Sequence, residues 1–411
     1  MIPPPSRRRT AAVAFILVTA LLDVMSMGII IPVLPQLIEQ LAGSTSAAGL
    51  WNGLFVALWA AMQFLCSPVI GSLSDHFGRR PVILVSVAGL TLDFVLMALA
   101  PNLWWLAVGR ILAGITSSSF TSAFAYMADI TPPEERARGY GLIGAAFSGG
   151  FVAGPLLGGV LGEISLRAPF WAAAGLSALA FLYGLIVLPE SLAADKRMAF
   201  SWKRANPFGA LRLLRSHPEL SSLASVTFLL HFAHHLFSAV FVLYAGDRYG
   251  WGPWQVGTLL ALVGLMDMGV QGILVGPVVK RLGDRTTMVL GLAFGALGIM
   301  AMGLAPTGWL FVAAMFPNAL WGIAMPTIQS LMTQRVSESE QGQLQGASNS
   351  VGSIAGIVSP LFFGAVYSMS VGPKAIFPFI GSAFLIAAVV LAGAALLGWA
   401  AGRERSLTAA L

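Results

Sequence analysis

Charged residues are scarce in this chain of 411 residues. Asp, Glu, Lys and Arg make up 10% of it and hydrophobic residues 57%, whereas an ordinary soluble domain carries about 25% charged residues. So few charges cannot cover the surface of a water-soluble globule, and the composition therefore excludes that class. The single cysteine, Cys66, excludes an internal disulfide.

Motifs of nucleotide and hydrolytic chemistry are missing as well. No glycine-rich loop ending in lysine is present to cradle a phosphate, so nothing supports ATP-driven transport. No exposed nucleophile elbow supports Ser-His-Asp catalysis. We therefore expect no enzyme activity, no catalytic residue, no cofactor and no resident metal.

The apolar residues lie in blocks of about 20 residues, the length of a membrane-spanning helix. In lipid the backbone must satisfy its own hydrogen bonds, so such blocks are helices, and the short alternating segments of a barrel are absent. We predict about twelve spans in two six-helix bundles, an all-α membrane protein. The blocks cover residues 11–32, 48–70, 82–100, 103–127, 139–161, 168–188, 221–245, 254–276, 287–305, 308–333, 344–367 and 374–400.

Basic residues predict the orientation. All but four of the 23 Lys and Arg lie on one side of the predicted topology; Arg167, Arg248 and Lys374 lie on the other, and Arg110 lies inside a span. This asymmetry places both termini in the cytoplasm, and we expect a multi-pass protein of the inner membrane. The net charge of +6 is then a topology signal that needs no nucleic acid. The first apolar block lacks a cleavage site, so we interpret it as a retained span.

One short sequence occurs twice, 205 residues apart, between apolar blocks. Residues 71–81 read GSLSDHFGRRP, and residues 276–285 read GPVVKRLGDR with altered charges. The same offset aligns Ala100-Pro101 with Ala305-Pro306, and Gly154-Pro155 with Ser359-Pro360. A duplicated half is typical of a transporter whose site lies between the halves. We predict bundles at 1–188 and 221–411, joined by a cytoplasmic linker at 189–220.

The first copy of the repeat contains glycines, a carboxylate and two arginines. Gly71 and Gly78 allow a tight turn, and Pro81 suits the first turn of the next helix. Asp75 lies near a helix end, where a carboxylate can hold neighbouring helix ends through charge-assisted hydrogen bonds. The alternative is that Arg79 and Arg80 only follow the positive-inside rule.

These motifs resemble those of a known family. Gly-x-Leu-x-Asp-x-x-Gly-Arg-Arg after the second span looks like the signature loop of the major facilitator superfamily. The runs at 75–82, 109–116 and 154–159, with Leu22-Asp23, Pro32-Val-Leu-Pro35 and Gln341 to Gly346, resemble the tetracycline-type drug:proton antiporters. The resemblance covers nearly the whole chain. It implies the major facilitator fold, efflux rather than uptake, and a gating role for the residues of three helix ends and the fifth span. These residues are Gly71, Asp75, Gly78, Arg79, Arg80, Asp129, Arg138, Gly154 and Pro155.

Four ionisable residues lie within predicted spans, where charge is expensive and points by default to a polar cavity or a partner. For Asp23 we expect proton or substrate handling; a structural carboxylate is the alternative. For Asp93 the family reading is proton or substrate handling, and a local ion pair is as plausible. Arg110 keeps its proton and can act only by biasing carboxylates, or pair structurally with Asp23 or a helix end.

Asp267 departs from the family pattern. At this position in the eighth span the tetracycline exporters are expected to carry a histidine, with an acidic residue in the ninth span. Here residues 288–305 of the ninth span carry no charge. We predict that Asp267 serves as the C-terminal proton site; a purely hydrogen-bonding role is the alternative.

Polar and aromatic residues within spans are candidates for the lining of a cavity. His231, His234 and His235 occupy one turn of the seventh span, a spacing compatible with a metal pair although no Cys or acidic ligand adjoins them. Hydrogen bonding to a cargo is the preferred interpretation. The predicted substrate-binding residues are Asp93, Gln63, His231, His235, Asn318, Gln329, Trp321 and Phe120.

We therefore expect proton-coupled efflux of small amphiphilic drugs, with tetracycline-like compounds leading by resemblance. The partners would be the drug, protons and membrane lipid, with the chain a monomer and a divalent cation entering only with a tetracycline cargo. A proton-coupled importer or facilitator of a small metabolite on the same fold, and a membrane sensor without transport, are the alternatives.

Overall fold

Every regular element among the described residues is helical, in this computed structural model. The structure describes residues 7–116, 119–131, 136–192, 195, 197–200, 202, 206–208, 213–214, 218–337, 340–372, 375–376 and 378–400. The α-helices are α1 (Arg7–Ile30), α2 (Leu34–Ala42), α3 (Thr45–Phe77), α4 (Arg79–Leu99), α5 (Leu103–Thr116), α6 (Ser119–Ile130), α7 (Arg136–Ile164), α8 (Ala168–Val187), α9 (Pro218–Leu236), α10 (Val242–Tyr249), α11 (Pro253–Gly269), α12 (Val275–Leu304), α13 (Gly308–Ala319), α14 (Ala324–Thr333), α15 (Gln341–Ser370) and α16 (Ser382–Ala400).

Three short helices of other types interrupt the spans. π-helices at Phe237–Phe241 and Val270–Leu274 join α9 to α10 and α11 to α12, and a 3₁₀-helix at Leu320–Ile323 joins α13 to α14. Hydropathy cannot reveal such breaks, because a π-turn changes hydrogen-bond spacing without changing apolar content. The predicted single spans at 221–245 and 308–333 are therefore composite.

The prediction of an all-α membrane protein is confirmed. Ten helices of the described part are long and apolar enough to cross a membrane. The count is lower than twelve for two local reasons. Residues 253–304 count once although Gly283, at φ 75°, turns the chain between the predicted eighth and ninth spans. The predicted fourth span contains residues 117 and 118, which lie outside the described part, and the helices α5 and α6 described on either side are each too short to count.

The turn after the second span is made by one glycine, not two. Gly78 has φ 104°, a backbone conformation that disfavours residues with a side chain, and α4 begins directly after it. Gly71 lies inside α3, and no atom lies within 4 Å of the position that a Cβ would take there. The prediction that Gly71 forms the turn was wrong, because the helix continues to Phe77. Gly283, 205 residues after Gly78, repeats the positive φ and supports the internal duplication.

The chain forms two compact units. Unit 1 contains Met1–Leu37, Leu58–Pro207 and Gly252–Ala261; unit 2 contains Ile38–Ala57, Phe208–Trp251 and Leu262–Leu411. The start of α3 is thus a member of unit 2, and the start of α11 a member of unit 1. In unit 1, α1 packs against α7 and α8, and α4 packs against α5 and α8. In unit 2, α12 packs against α13 and α16, and α9 against α15 and α16.

Glycines bring α1 and α7 into close contact. A Cβ at Gly154 would lie 2.6 Å from the Met25 carbonyl oxygen and 2.9 Å from the Gly28 Cα, and a Cβ at Gly158 would lie 2.0 Å from the Ile29 carbonyl oxygen. Close backbone approach is how membrane helices gain packing energy without a hydrophobic driving force. The close contact of α1 with α7 therefore depends on these glycines of the fifth span.

Gly154→Ala is expected to force α1 and α7 apart and to cost about 1–3 kcal/mol of stability, as overpacking does. The measurement is thermal unfolding of the purified chain in detergent. Gly175→Ala in α8 is the matched control, because no atom lies within 4 Å of its Cβ position. Equal unfolding temperatures for the two variants would contradict the expected steric cost.

Candidate functional site

The arginine after the Gly78 turn contacts two carboxylates. Arg79 Nη1 lies 2.6 Å from Asp75 Oδ1, and its Nε lies 3.3 Å from Asp129 Oδ2 at the end of α6. Ser191 Oγ donates to the same Asp129 oxygen at 2.9 Å. The guanidinium thus joins the ends of α3, α4 and α6, as expected of a charge-assisted contact between helix ends. Its gating role stays a prediction.

Glu190 completes this cluster, and the sequence reasoning did not identify it. Its carboxylate accepts from the backbone N–H groups of Arg79 at 2.9 Å and Arg80 at 3.3 Å. A carboxylate there satisfies unpaired N–H groups at the start of α4 and complements the helix dipole. Arg80 donates from Nη2 to the Leu185 carbonyl oxygen at 2.9 Å, so it ties α4 to α8.

The second copy of the repeat keeps the geometry and changes the charge. Asp284, 205 residues after Arg79, accepts from Gln334 Nε2 at 3.1 Å, and Gln334 is 205 residues after Asp129. Ser330 Oγ also donates to Asp284 at 2.8 Å. An ion pair in unit 1 therefore corresponds to a carboxylate with neutral donors in unit 2. Since hydrogen bonds between ions are stronger, the unit 1 contact is the stronger of the two.

Arg110 pairs with Asp93. Its Nη2 lies 3.4 Å from Asp93 Oδ2 and 2.8 Å from Met97 Sδ, which joins α5 to α4. Asp93 is 0% exposed and Arg110 9% exposed. The structural alternative named Asp23 or a helix end as the partner of Arg110, and the structure gives it Asp93 instead; the rotation of α4, which hydropathy does not give, turns Asp93 toward α5. The proton-coupling role of Arg110 stays a prediction. Gly109 leaves room for this pair, since its Cβ would lie 2.7 Å from Asp93 Oδ1.

Asp23 lies in the interior of α1 and is 4% exposed. One turn further, Ser26 donates to the Leu22 carbonyl oxygen at 2.7 Å and accepts from Ser177 Oγ of α8 at 3.3 Å. An ionisable residue buried inside a span is a candidate for proton or substrate handling. The structure thus places Asp23 and the Asp93–Arg110 pair within unit 1.

In unit 2, several predicted residues meet at the break in the tenth span. Trp321 in the 3₁₀-helix lies 5.6 Å, ring to ring, from His234 of α9. A Cβ at the adjacent Gly322 would lie 3.8 Å from Asp267 Oδ1 of α11. His234 is exposed, while Trp321 is 7% exposed. Imidazole, indole and carboxylate groups therefore lie around one non-α segment, a combination suited to binding an amphiphilic ligand.

Other predicted residues have defined but separate surroundings. His231 contacts Gly352 of α15, and His235 Nδ1 and Asn318 Oδ1 are buried without a hydrogen-bond partner among the described residues. Gln329 donates to Gln345 Oε1 at 2.9 Å. Gln63 lies where α3 approaches Gly114 of α5.

Two predicted residues have side chains outside the described part: Phe120 and Arg138. The described residues hold no group of three or more His, Cys, Asp and Glu able to bind a metal ion. The predicted roles of all these residues stay predictions.

These features define a multi-pass membrane transporter with buried charges in its spans. The chain matches the Major Facilitator Superfamily over residues 16–360 and again over 268–409. It is 40% identical to the Escherichia coli tetracycline resistance protein of class C, over 87% of this chain and 90% of the relative. It is 38% identical to the class G protein of Vibrio anguillarum, over 89% and 92%.

The chain therefore belongs to the major facilitator superfamily, in the group of the tetracycline resistance proteins. A solved nucleoside transporter, NupG, covers 95% of this chain and 99% of its own with a TM-score of 0.80 at 13% identity, which shows the shared fold.

Proposed function

We propose that this chain exports tetracycline-like amphiphilic drugs across the inner membrane, driven by inward proton flow. The observation that carries the proposal is the 40% identity to a tetracycline resistance protein over nearly the full length of both chains. The buried carboxylates support proton coupling, because ionisable groups within spans commonly serve proton relays. Transport proceeds by alternating access, as in carriers built from two related halves.

Protonation would alternate with cargo binding. An ionised Asp23 favours cargo, and its neutral form favours return of the empty carrier. Asp267 provides a second protonation site in unit 2, beside Trp321 and His234. Arg110 cannot lose its proton and acts only through the charge that it presents to Asp93. A tetracycline cargo brings its divalent cation with it as part of the substrate.

The Arg79 cluster serves as a cytoplasmic latch in this proposal. Its contacts lie partly in solvent, with Asp75 and Asp129 side chains 30% and 22% exposed. Partly exposed ion pairs contribute little to stability, so they can break and re-form at low cost. That property suits a contact that opens once in every transport cycle.

The test is drug susceptibility of an efflux-deficient host expressing the chain, across antibiotic classes. We expect several-fold resistance to tetracyclines, and uncoupler-sensitive uptake of the same drugs by inside-out vesicles. An Arg79→Met chain, which lacks the cytoplasmic latch contacts, is the control for expression. Greater susceptibility with drug accumulation would favour an importer, and no proton flux with any compound would favour a sensor.

A further inference from the structure

Two interfaces in the structure share one glycine–proline geometry. In unit 2, a Cβ at Gly53 of α3 would lie 2.3 Å from the Pro360 carbonyl oxygen and 3.3 Å from the Gly364 Cα of α15. In unit 1, a Cβ at Gly257 of α11 would lie 2.3 Å from the Pro155 carbonyl oxygen and 2.9 Å from the Gly159 Cα of α7.

Pro155 and Gly159 precede Pro360 and Gly364 by the 205-residue offset, so the α3–α15 and α7–α11 interfaces are related by the duplication. Both lie toward the predicted outer ends of their helices.

The two interfaces differ in their side-chain hydrogen bonds. Across the α3–α15 interface, Ser46 Oγ lies 2.8 Å from Ser368 Oγ and 3.0 Å from the Ser368 carbonyl oxygen. Tyr367, whose ring would contact a Cβ at Gly49, donates to Asp247 on the rim of a cavity of about 390 Å³. The α7–α11 interface has Glu163 accepting from the Trp254 backbone N–H at 3.1 Å.

Asn52 adds a contact that has no counterpart in the α7–α11 interface, where Val256 precedes Gly257 as Asn52 precedes Gly53. Its Nδ2 donates to the Ala239 carbonyl oxygen at 2.6 Å and to the Ser238 carbonyl oxygen at 3.2 Å. Because both partners are acceptors, only the amide NH₂ can face them. Ser238 and Ala239 lie in the π-helix, whose widened turn removes carbonyls from the regular ladder. Asn52, which is 2% exposed, donates to two carbonyls of that turn.

We propose that Asn52 is the lock of the α3–α15 interface: its two hydrogen bonds hold α3 on the seventh span and break whenever the pathway opens on the outer side. This inference rests on the proposed alternating-access transport. The glycines let the backbones meet without interlocking side chains, so the interface can part. Both hydrogen bonds from α3 to the π-helix are made by one residue, Asn52. Of the two related interfaces on the outer side, one is held by an asparagine contact to a π-helix and the other by the Glu163 contact.

The test uses disulfides in a Cys66→Ala chain, which leaves no native thiol. Ser46→Cys with Ser368→Cys places two thiols where the hydroxyl oxygens lie 2.8 Å apart, close enough for a disulfide. We expect oxidation to stop uncoupler-sensitive drug uptake and reduction to restore it. Ser26→Cys with Ser177→Cys, from hydroxyls 3.3 Å apart within unit 1, is the matched pair and should transport equally in both redox states.

Two outcomes separate the claims. Undiminished uptake by the oxidised Ser46→Cys/Ser368→Cys chain would overturn the parting of this interface while leaving the proposed function intact. No uptake by the reduced Cys66→Ala chain that carries native serines would overturn the proposed function itself.

Asn52→Leu tests the lock. Loss of two neutral hydrogen bonds should speed labelling of Ser368→Cys by a membrane-impermeant maleimide about tenfold in right-side-out vesicles. Labelling of Ile376→Cys, at a residue already 68% exposed, should not change, and that of the buried Ser26→Cys should stay low. An unchanged rate at Ser368→Cys would overturn the role of Asn52.

Discussion

Replacing Asp93 by leucine should cost the folded chain about 3–5 kcal/mol, because it leaves the Arg110 charge buried and unpaired. The guanidinium cannot escape this cost by losing its proton at any accessible pH. Arg110→Met should cost less, since Asp93 can become neutral by binding a proton. Unfolding of the purified chains on heating in detergent measures both variants.

The double variant Asp93→Leu/Arg110→Met completes this cycle. Replacing both members of a buried pair by apolar residues is often neutral or stabilising, so we expect most of the lost stability to return. A double variant as unstable as Asp93→Leu alone would show that the pair is not the cause. Transport by the folded double variant then decides between the two readings of Arg110. Retained proton coupling would make the pair purely structural.

Hydropathy and the repeat predicted the fold well, because spans are contiguous in sequence. Burial within lipid demands about 20 apolar residues in a row, and the Gly78 turn and its copy at Gly283 lie at the same place in both halves. The contacts of Arg79 with Asp75 and Asp129 could also be predicted, since each residue lies at a helix end on the predicted cytoplasmic side of the membrane.

Partners that depend on helix rotation could not be predicted from the sequence. Arg110 meets Asp93 and not Asp23 because α4 turns that carboxylate toward α5, and no spacing along the chain encodes this. Glu190 lies at the start of the predicted polar linker, where a carboxylate resembles a solvated charge until the start of α4 is placed beside it. The π-helix that Asn52 contacts leaves no trace in the apolar pattern. The sequence marked the inequality of the halves only through the altered charges of the second repeat.

The glycine contacts include some that the sequence predicted and some that it could not predict. Gly154 was identified through the family resemblance of the run at 154–159, and its contact with α1 is of the kind that small residues allow between membrane helices. The closeness of Gly53 to Pro360 and of Gly257 to Pro155 depends on which helices are neighbours, and the sequence does not give that. Gly71 shows the opposite error. It lies near the end of a predicted span and was assigned to the turn, but α3 continues through it to Phe77.

Asp23→Asn should reduce uncoupler-sensitive drug uptake by inside-out vesicles at least about 100-fold, the scale of losing a positioned proton-transfer group. Asparagine keeps the size and polarity of the buried side chain but cannot carry a proton. Exchange of labelled for unlabelled drug at saturating concentration needs no proton carriage, so it should persist. Asp195→Asn, at an exposed carboxylate outside the spans, is the control and should transport normally.

The pattern of losses assigns the role of Asp23. Loss of coupled uptake with exchange retained makes Asp23 a proton site, whereas loss of both would assign it to the cargo site. Full coupled uptake by Asp23→Asn would remove Asp23 from the mechanism.

Asp267→Asn in the same assay tests the second site. If protons are shared between the two units, the loss of uncoupler-sensitive uptake by Asp267→Asn should be partial, because Asp23 still cycles between its ionised and neutral forms.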